Sequence, residues 1–131
     1  MDNRDLYRLA LRAMEHAYAP YSHYQVGAAL LAEDGRVFTG VNVENASSGA
    51  TICAERTAAV KAVSEGAREF VAVAIVSDHA YAWPCGICRQ FLNEFSRDLV
   101  VICGPADGSA PVRTLPLKTL LPESFGPEDL A

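Results

Sequence analysis

Apolar residues recur along the first third of the chain in two periods, one typical of helices and one typical of strands. Spacings of three and four predict an amphipathic helix from Leu6 to Ala17, with Pro20 just past its end. An apolar run from Val26 to Ala32 and a second segment from Val37 to Glu44 flank a Glu-Asp-Gly-Arg turn at 33–36, which predicts a β-hairpin. The chain therefore begins as a helix followed by two antiparallel strands.

The rest of the chain alternates helical segments with continuous apolar strands. Helices are predicted from Cys53 to Glu65, closed by Gly66, and from Gly86 to Phe95. The runs Phe70–Ser77 and Leu99–Cys103 lack polar alternation, which is typical of strands buried on both faces. The remaining predictions are loops at 46–50 and 78–84, an edge strand at 112–117 and a short helical turn at 118–121.

The resulting order, α-β-β-α-β-α-β-β-α, predicts an α/β fold with a mixed sheet covered by helices and with two βαβ crossovers. Its length of 131 residues suits a single domain spanning 1–131 with a proper core. In folds of this class, sites lie where strand C-termini meet helix N-termini.

Charge and composition exclude several classes of function. The net charge of -5 argues against binding a nucleic acid polymer through its backbone, which needs a basic footprint. No apolar run approaches the length of a membrane span, and the charged start of the chain is unlike a secretory signal, so we expect a cytoplasmic protein. In that setting four cysteines favour metal binding or catalysis over disulfides.

Two short motifs carry the chemistry: Cys53-Ala54-Glu55, and Pro84-Cys85-Gly86-Ile87-Cys88. Each opens a predicted helix, where the positive end of the helix dipole and the free N–H groups favour thiolates. Cys85 and Cys88 lie three residues apart on one helix face, so both can reach the same ion. One helix, one strand and two loops separate Cys53 from Cys85, so the two helix starts can lie side by side.

Three thiolates leave one position of a tetrahedral zinc ion open, as in catalytic rather than structural sites. Zinc lowers the pKa of a water in that position, which gives hydroxide near neutral pH. Glu55 is not needed as a ligand and is therefore free to move protons. This combination is the signature of zinc-dependent nucleobase deaminases.

Three thiolates on a zinc ion leave the site with a net negative charge, which weakens the metal as a Lewis acid. A guanidinium that donates to a ligand sulfur would offset this charge. Arg56 and Arg89 each follow a motif directly, and we favour Arg56 because it shares the first turn of a helix with Cys53 and Glu55.

The cysteines also admit other interpretations. Cys103 lies in the middle of a strand without a partner motif and is assigned to the core. A lone Cys-x-x-Cys also suits a redox pair, but the third thiol and Glu55 disfavour it. A structural Cys3His site would recruit His79 and would leave Glu55 without a role.

The residues from Thr51 to Ala58 and from Pro84 to Gln90 together resemble the small, homotetrameric, zinc-dependent cytidine deaminases of pyrimidine salvage. The similarity continues through 18–22, 26–30, 40–46 and 120–125, which covers nearly the whole chain. It implies a three-layer α/β/α fold around a five-stranded mixed sheet. It also implies hydrolysis of cytidine and deoxycytidine to uridine and deoxyuridine with loss of ammonia.

The resemblance also assigns roles by position. It makes Cys53, Cys85 and Cys88 the Zn²⁺ ligands and Glu55 the group that takes a proton from water and delivers protons to N3 and the leaving amine. The remaining assignments concern the nucleoside. Asn42 and Glu44 would hold the ribose 3′-hydroxyl, and Tyr24 would lie beside the sugar or base. The backbone of Ala54 would contact the base, and Phe125 would stack on the pyrimidine from another subunit. Each site would then be shared between chains of a homotetramer.

Four positions depart from the pattern of that family: Tyr24 stands for a common Phe, Ser48 for a common Tyr, Ala50 for a larger residue and Trp83 for a smaller one. We expect them to cluster near the rim of the pocket and to affect substrate range rather than reaction type. The hypothesis at this level is a rim that tolerates cytosines substituted at N4 or C5.

Three rival functions remain open on the sequence. A deaminase of a cytosine-nucleoside antibiotic such as blasticidin S would share the zinc motifs, although Asn42, Glu44 and Phe125 favour an ordinary nucleoside. A polynucleotide-editing deaminase would need a basic channel with aromatic platforms. A structural zinc module that binds proteins would not release ammonia from cytidine.

Overall fold

The computed structural model describes all 131 residues and contains one five-stranded sheet in the order β2-β1-β3-β4-β5. Its strands are β1 (Val26–Ala32), β2 (Val37–Val41), β3 (Phe70–Ser77), β4 (Val100–Pro105) and β5 (Arg113–Pro116). Its helices are α1 (Asn3–Ala13), α2 (Ala54–Ser64), α3 (Gly86–Asn93) and α4 (Leu117–Leu120), with 3₁₀ turns at Met14–His16, Ser48–Ala50 and Pro127–Asp129. The predicted element order is therefore confirmed.

The sheet is mixed. β1 pairs antiparallel with both β2 and β3, β3 pairs parallel with β4, and β4 pairs antiparallel with β5. Because β2 and β3 both oppose β1, they run the same way, so β2-α2-β3 and β3-α3-β4 are the two predicted crossovers. α2 and α3 consequently begin next to each other, at the end of the sheet where β2 and β3 have their carboxyl ends.

Alternation along β3 divides the molecule into three layers. Val73 and Ile75 belong to a buried cluster of 18 residues on the α2 and α3 side, which we call the α2/α3 face. Ala72, Ala74 and Val76 belong to a cluster of seven buried residues under α1, which we call the α1 face. Side chains that alternate along a strand reach opposite faces of its sheet, so one strand supplies both cores. The expected α/β/α layering is confirmed.

Two glycines allow helices to approach the sheet closely. A Cβ at Gly27 would lie 2.2 Å from the carbonyl oxygen of Ala10 in α1. A Cβ at Gly40 would lie 2.4 Å from the carbonyl oxygen of Ala54, the first residue of α2. Any side chain at Gly40 would therefore push the start of α2 away from β2.

Several predicted boundaries differ from the structure. α1 ends at Ala13 rather than Ala17, because the last turn tightens into a 3₁₀ helix. β2 ends at Val41 rather than Glu44, because the backbone of Val43 and Glu44 bonds to Ile52 and Tyr18 instead of to β1. Gly66 adopts a φ of 92° after α2, as the predicted helix end requires. None of the helices has the length or the apolar character needed to cross a bilayer.

Candidate functional site

Three cysteine sulfurs meet between the starts of α2 and α3. The Sγ atoms of Cys53, Cys85 and Cys88 all lie within 4.8 Å of one another, and the Cys53 and Cys85 sulfurs are 3.8 Å apart. Cys88 is buried, Cys53 is half-buried and Cys85 is exposed, so the group spans the distance from core to surface. No disulfide joins them. His79 is not part of the group, which argues against the Cys3His alternative.

Local structure explains why these sulfurs converge. Cys53 and Cys85 are the N-cap residues of α2 and α3, and both have extended backbone angles. Their carbonyls accept the first helical hydrogen bonds, from Thr57 at 3.0 Å and from Arg89 at 2.9 Å. Each cysteine therefore turns into its helix at the same edge of the sheet, as predicted from the motifs.

Electrostatics at the helix starts favour ionised sulfur at Cys53. Hydrogen bonding from Cys88 acts together with that from Cys85 and with the positive charge of Arg56 to lower the pKa of Cys53 to about 6, against the effect of burial. The pKa of Cys88 is raised, mainly because its hydrogen bond to Cys53 favours the thiol form. Of these two thiols, Cys53 therefore ionises first.

Glu55 is the one carboxylate buried against the cysteine cluster, with only 4% of its surface exposed. Burial raises its pKa to about 7, although a hydrogen bond with Cys88 acts in the opposite direction. A carboxyl group with a pKa near neutrality exchanges protons readily at physiological pH. The side chain therefore has the properties that general acid–base chemistry requires.

A cavity of about 410 Å³ opens beside the cysteines and Glu55. Its lining combines the metal-site residues with apolar and aromatic side chains: Tyr24, Val26, Asn42, Thr51, Cys53, Ala54, Glu55, Tyr81, Ala82, Trp83 and Cys85. An apolar cavity with a few convergent polar groups is the usual form of a small-molecule site.

Asn42 and Glu44, the residues predicted to hold a sugar, are fixed by backbone contacts. The Asn42 amide donates to the carbonyl of Tyr24 at 2.7 Å while its oxygen accepts from Val26. Glu44 accepts from the backbone N–H groups of Tyr21 and Ser22 and from the Ser22 hydroxyl, and that hydroxyl bond is the main reason its pKa is lowered. Asn42 lines the cavity, whereas Glu44 does not.

Arg56 and Arg89 occupy equivalent motif positions but have different partners. Arg89 donates to the carbonyls of Pro84 at 2.6 Å and Leu120 at 2.8 Å. Arg56 donates one Nη to the carbonyl of Thr51 at 3.0 Å, and its buried Nε has no hydrogen-bond partner in the chain. Arg56 alone therefore has a buried donor to spare.

Other predicted residues lie apart from the cavity. Phe125 is 58% exposed, and its backbone carbonyl accepts from the side chain of Gln90 on α3 at 2.9 Å. Cys103 is fully buried in the core as expected, and burial raises the pKa of its thiol to about 12. Of the four departures from the family pattern, Tyr24 and Trp83 line the cavity, while Ser48 and Ala50 lie outside it in the exposed 3₁₀ turn.

Sequence reasoning did not single out Tyr81, and it gave Arg113 no role. Tyr81 lines the cavity from the loop between β3 and α3, and Arg113 begins β5 with its guanidinium over the rings of Tyr81 and Trp83. The available signal for Tyr81 was its place in a loop directly preceding a metal motif, at the carboxyl end of a parallel strand.

Comparison with known proteins gives the same picture. Residues 1–104 match the family model described as the cytidine and deoxycytidylate deaminase zinc-binding region. A cytidine deaminase of Halalkalibacterium halodurans is 48% identical over 132 residues, covering 99% of this chain and 98% of that protein. A probable cytidine deaminase of Dictyostelium discoideum is 50% identical and covers 92% of this chain and 82% of that protein.

Solved structures agree with the sequences. A cytidine deaminase from Burkholderia pseudomallei superposes with a TM-score of 0.89 at 44% identity, covering 95% of this chain and 100% of that chain. A cytidine deaminase from Mycobacterium tuberculosis superposes with a TM-score of 0.83 at 42% identity, covering 96% and 98%. The fold, the cysteine cluster and these relatives together show that the chain belongs to the zinc-binding cytidine deaminase family and is an enzyme of cytidine deamination.

Proposed function

We propose that the chain hydrolyses cytidine and deoxycytidine to uridine and deoxyuridine, with Cys53, Cys85 and Cys88 as the zinc ligands and Glu55 as the proton-transfer group. The observation that carries this assignment is the meeting of three sulfurs with a single buried carboxylate at one wall of a nucleoside-sized cavity. Residues 1–131 would act as one cytidine deaminase-like domain, since both cores share a single sheet.

The three cysteines fit a zinc ion. A Zn–S distance of about 2.3 Å in a tetrahedral site corresponds to sulfurs roughly 3.8 Å apart. The Cys53 and Cys85 sulfurs have that separation, and all three lie within 4.8 Å. Three protein ligands would leave one zinc position open, and the metal held by these cysteines would supply Lewis-acid activation of water.

Glu55 moves the protons in this proposal. Its carboxylate takes the two protons of the attacking water in turn and delivers one to N3 of the base and one to the departing amine, so that a C4–O bond forms before the C4–N4 bond breaks. The net reaction consumes one water and releases ammonia. Its pKa of about 7, raised by burial, suits both the acceptance and the donation of a proton at neutral pH.

Asn42, Glu44, Tyr24 and Ala54 would bind the nucleoside. The Asn42 side chain is fixed through Tyr24 and Val26, and an amide with two donors and two acceptor lone pairs retains capacity for a ribose hydroxyl. The Glu44 carboxylate is held by the turn at Tyr21 and Ser22, and after these three hydrogen bonds its Oε2 keeps one lone pair for the same hydroxyl. Contacts that hold both side chains in place reduce the entropy lost on binding.

Phe125 would complete the site of a neighbouring subunit in a homotetramer. Its exposed ring does not line the cavity of its own chain. Exposed apolar side chains on α2, on α3 and before α2, namely Val60 at 40%, Ile87 at 65% and Ile52 at 39%, give copies of the chain an apolar surface to cover. Size-exclusion chromatography with light scattering tests the oligomeric state.

The cellular setting follows from the same chemistry. Three ligand thiols remain available for zinc where they stay reduced, which supports action in the cytoplasm. A free nucleoside as the substrate supports a role in pyrimidine salvage. The substrate would be a small nucleoside rather than a nucleic acid polymer or a membrane component, because the chain carries a net charge of -5.

An ammonia-release assay tests the assignment of Glu55. The wild-type enzyme should release ammonia from cytidine, and Glu55→Gln should retain zinc while losing about 10²- to 10⁴-fold in kcat, the usual contribution of general acid–base catalysis. Glu15→Gln, which changes an exposed carboxylate outside the cavity, is the matched control and should act like the wild type. Full activity in the Glu55 variant would contradict the proposed mechanism.

A further inference from the structure

The loop between β3 and α3 presents two aromatic rings to the cavity. Tyr81 and Trp83 stack with ring centroids 6.1 Å apart and with 18° between their planes. Both rings line the cavity and pack against the core of the α2/α3 face. We call this pair the aromatic wall. Two residues after Trp83 the same loop supplies Cys85, so the wall lies beside the metal end of the cavity.

Arg113 of β5 fixes the aromatic wall from outside. Its guanidinium carbon lies 5.4 Å from the Tyr81 centroid and 5.4 Å from the Trp83 centroid. A guanidinium over the face of an aromatic ring is attracted by the negative charge of that face. The Arg113 side chain forms no ion pair and donates no hydrogen bond, so these rings are its principal partners.

Backbone contacts hold the same loop to β4 and to the residues before β5. The Tyr81 hydroxyl donates to the carbonyl of Pro111, and the Cys103 thiol donates to the carbonyl of Ala82 at 3.6 Å. Cys103 lies directly opposite Arg113 in the pairing of β4 with β5. The wall is therefore attached to an edge of the sheet, and it cannot shift without breaking several contacts at once.

We propose that the aromatic wall, positioned by Arg113, limits the size of substituents accepted at N4 and C5 of the cytosine ring. This inference rests on the proposed function, since it takes C4 of the base to lie beside the cysteines and Glu55. N4 and C5 are both bonded to C4, so substituents on them lie near the metal end of the cavity. The two rings have few side-chain torsions and the Arg113 cation lies over both of them. The wall therefore does not move to make room for an added methyl group.

This restriction is the opposite of the sequence-based hypothesis, which was a rim that tolerates substituents at N4 or C5. That expectation relied partly on the small side chains of Ser48 and Ala50, and neither lines the cavity. The two departures that do line it, Tyr24 and Trp83, are both large. At the departing positions, the cavity is therefore lined by two large side chains and by neither of the small ones.

The experiment compares kcat/KM for cytidine with kcat/KM for 5-methylcytidine and N4-methylcytidine, followed by the change in absorbance of the base. The wild type should prefer cytidine, and Trp83→Ala should reduce that preference about tenfold or more, within the range by which one methyl group is discriminated. Arg113→Gln should reduce it several-fold, and Arg113→Lys, which retains the cation, should restore part of the difference.

Trp83 is the only tryptophan in the chain, so its fluorescence reports on the wall directly. Arg113→Gln should increase the quenching of Trp83 by acrylamide. Arg36→Gln is the matched control, because it removes a similar guanidinium, 5.3 Å from the Phe38 ring at the far end of the sheet. That control should change neither the quenching nor the substrate preference.

The outcomes separate the two proposals. A wild-type enzyme that releases no ammonia from cytidine would overturn the proposed function itself. An enzyme that deaminates cytidine but whose preference is unchanged by Trp83→Ala would overturn the wall alone. If Trp83→Ala fails to fold, Arg113→Gln decides: quenching and preference equal to those of Arg36→Gln would overturn the role of Arg113, and a change in both would support it.

Discussion

The two faces of the central sheet bury different kinds of side chain. The cluster on the α1 face contains seven apolar residues and no polar one: Leu6, Ala10, Ala29, Ala72, Ala74, Val76 and Ile102. On the α2/α3 face, the buried Glu55 and the unpartnered Nε of Arg56 lie beside the apolar cluster. Burying such groups costs stability unless they are paired, so their concentration at one end of one face indicates function there.

The comparison predicts that substitutions on the α1 face change stability alone, while those at the start of α2 and α3 change chemistry. The largest expected effect is at Cys88, which is fully buried within the sulfur cluster. Cys88→Ala should lose zinc and all measurable ammonia release, because two thiols do not retain the metal. Zinc analysis of the purified protein measures this directly.

Cys103→Ala is the control for that experiment. Cys103 is as buried as Cys88 and lies on the same face, but it is not one of the three clustered sulfurs. The Cys103→Ala variant should therefore retain stoichiometric zinc. If Cys88→Ala kept its zinc, or if Cys103→Ala lost it, the difference between the two buried thiols would be refuted.

Leu6 offers the reciprocal test on the α1 face, where it is 1% exposed. Leu6→Ala should lower the free energy of unfolding by about 2–5 kcal/mol through lost burial and the cavity it leaves. The zinc content and the kcat of the folded enzyme should not change. Urea denaturation gives the stability, with Arg8→Ala, an exposed change on the same helix, expected within about 0.5 kcal/mol of the wild type. A large fall in kcat of folded Leu6→Ala would mean that the two faces are not independent.

Local patterns were enough to predict the parts of the molecule that depend on local sequence. The spacing of apolar residues gave α1, the continuous apolar runs gave β3 and β4, and the motifs placed Cys53 and Cys85 at helix starts. Each of these follows from residues within a few positions of one another. The chemistry of the candidate metal site can therefore be predicted from the local sequence, without knowledge of the fold.

Features that depend on contacts distant in sequence were not predictable. The early end of β2 depends on Tyr18 and Ile52, which pair with Val43 in place of β1. The aromatic wall joins Tyr81 to Arg113, which lie far apart in the chain and share no motif. Nothing in the local sequence of either residue indicates the other, so only the arrangement of the sheet brings them together.

The smallest expected effect concerns Arg56, which combines a structural and a functional feature. Its guanidinium supports the fold by donating to the carbonyl of Thr51, and its buried Nε has no partner in the chain. We expect the free Nε to donate to a ligand sulfur and to reduce the negative charge of a three-thiolate zinc site. Arg56→Ala should then lower zinc retention or turnover about 10- to 100-fold, as other losses of a metal ligand's hydrogen-bond partner do. Zinc release to a chelator measures the first effect, and kcat measures the second.

Arg89→Ala is the matched variant for Arg56→Ala, because Arg89 follows Cys88 as Arg56 follows Glu55 and yet donates only to the carbonyls of Pro84 and Leu120. Its loss should reduce the free energy of unfolding, since two part-buried carbonyls lose their donor, while the folded protein keeps its zinc. Equal zinc retention in both variants would remove the charge-balancing role from Arg56. A loss of zinc in Arg56→Ala but not in Arg89→Ala, partly restored by Arg56→Lys, would support the charge-balancing role. Arg89 would then only stabilise the fold, whereas Arg56 in the first turn of α2 would also adjust the charge of the metal site.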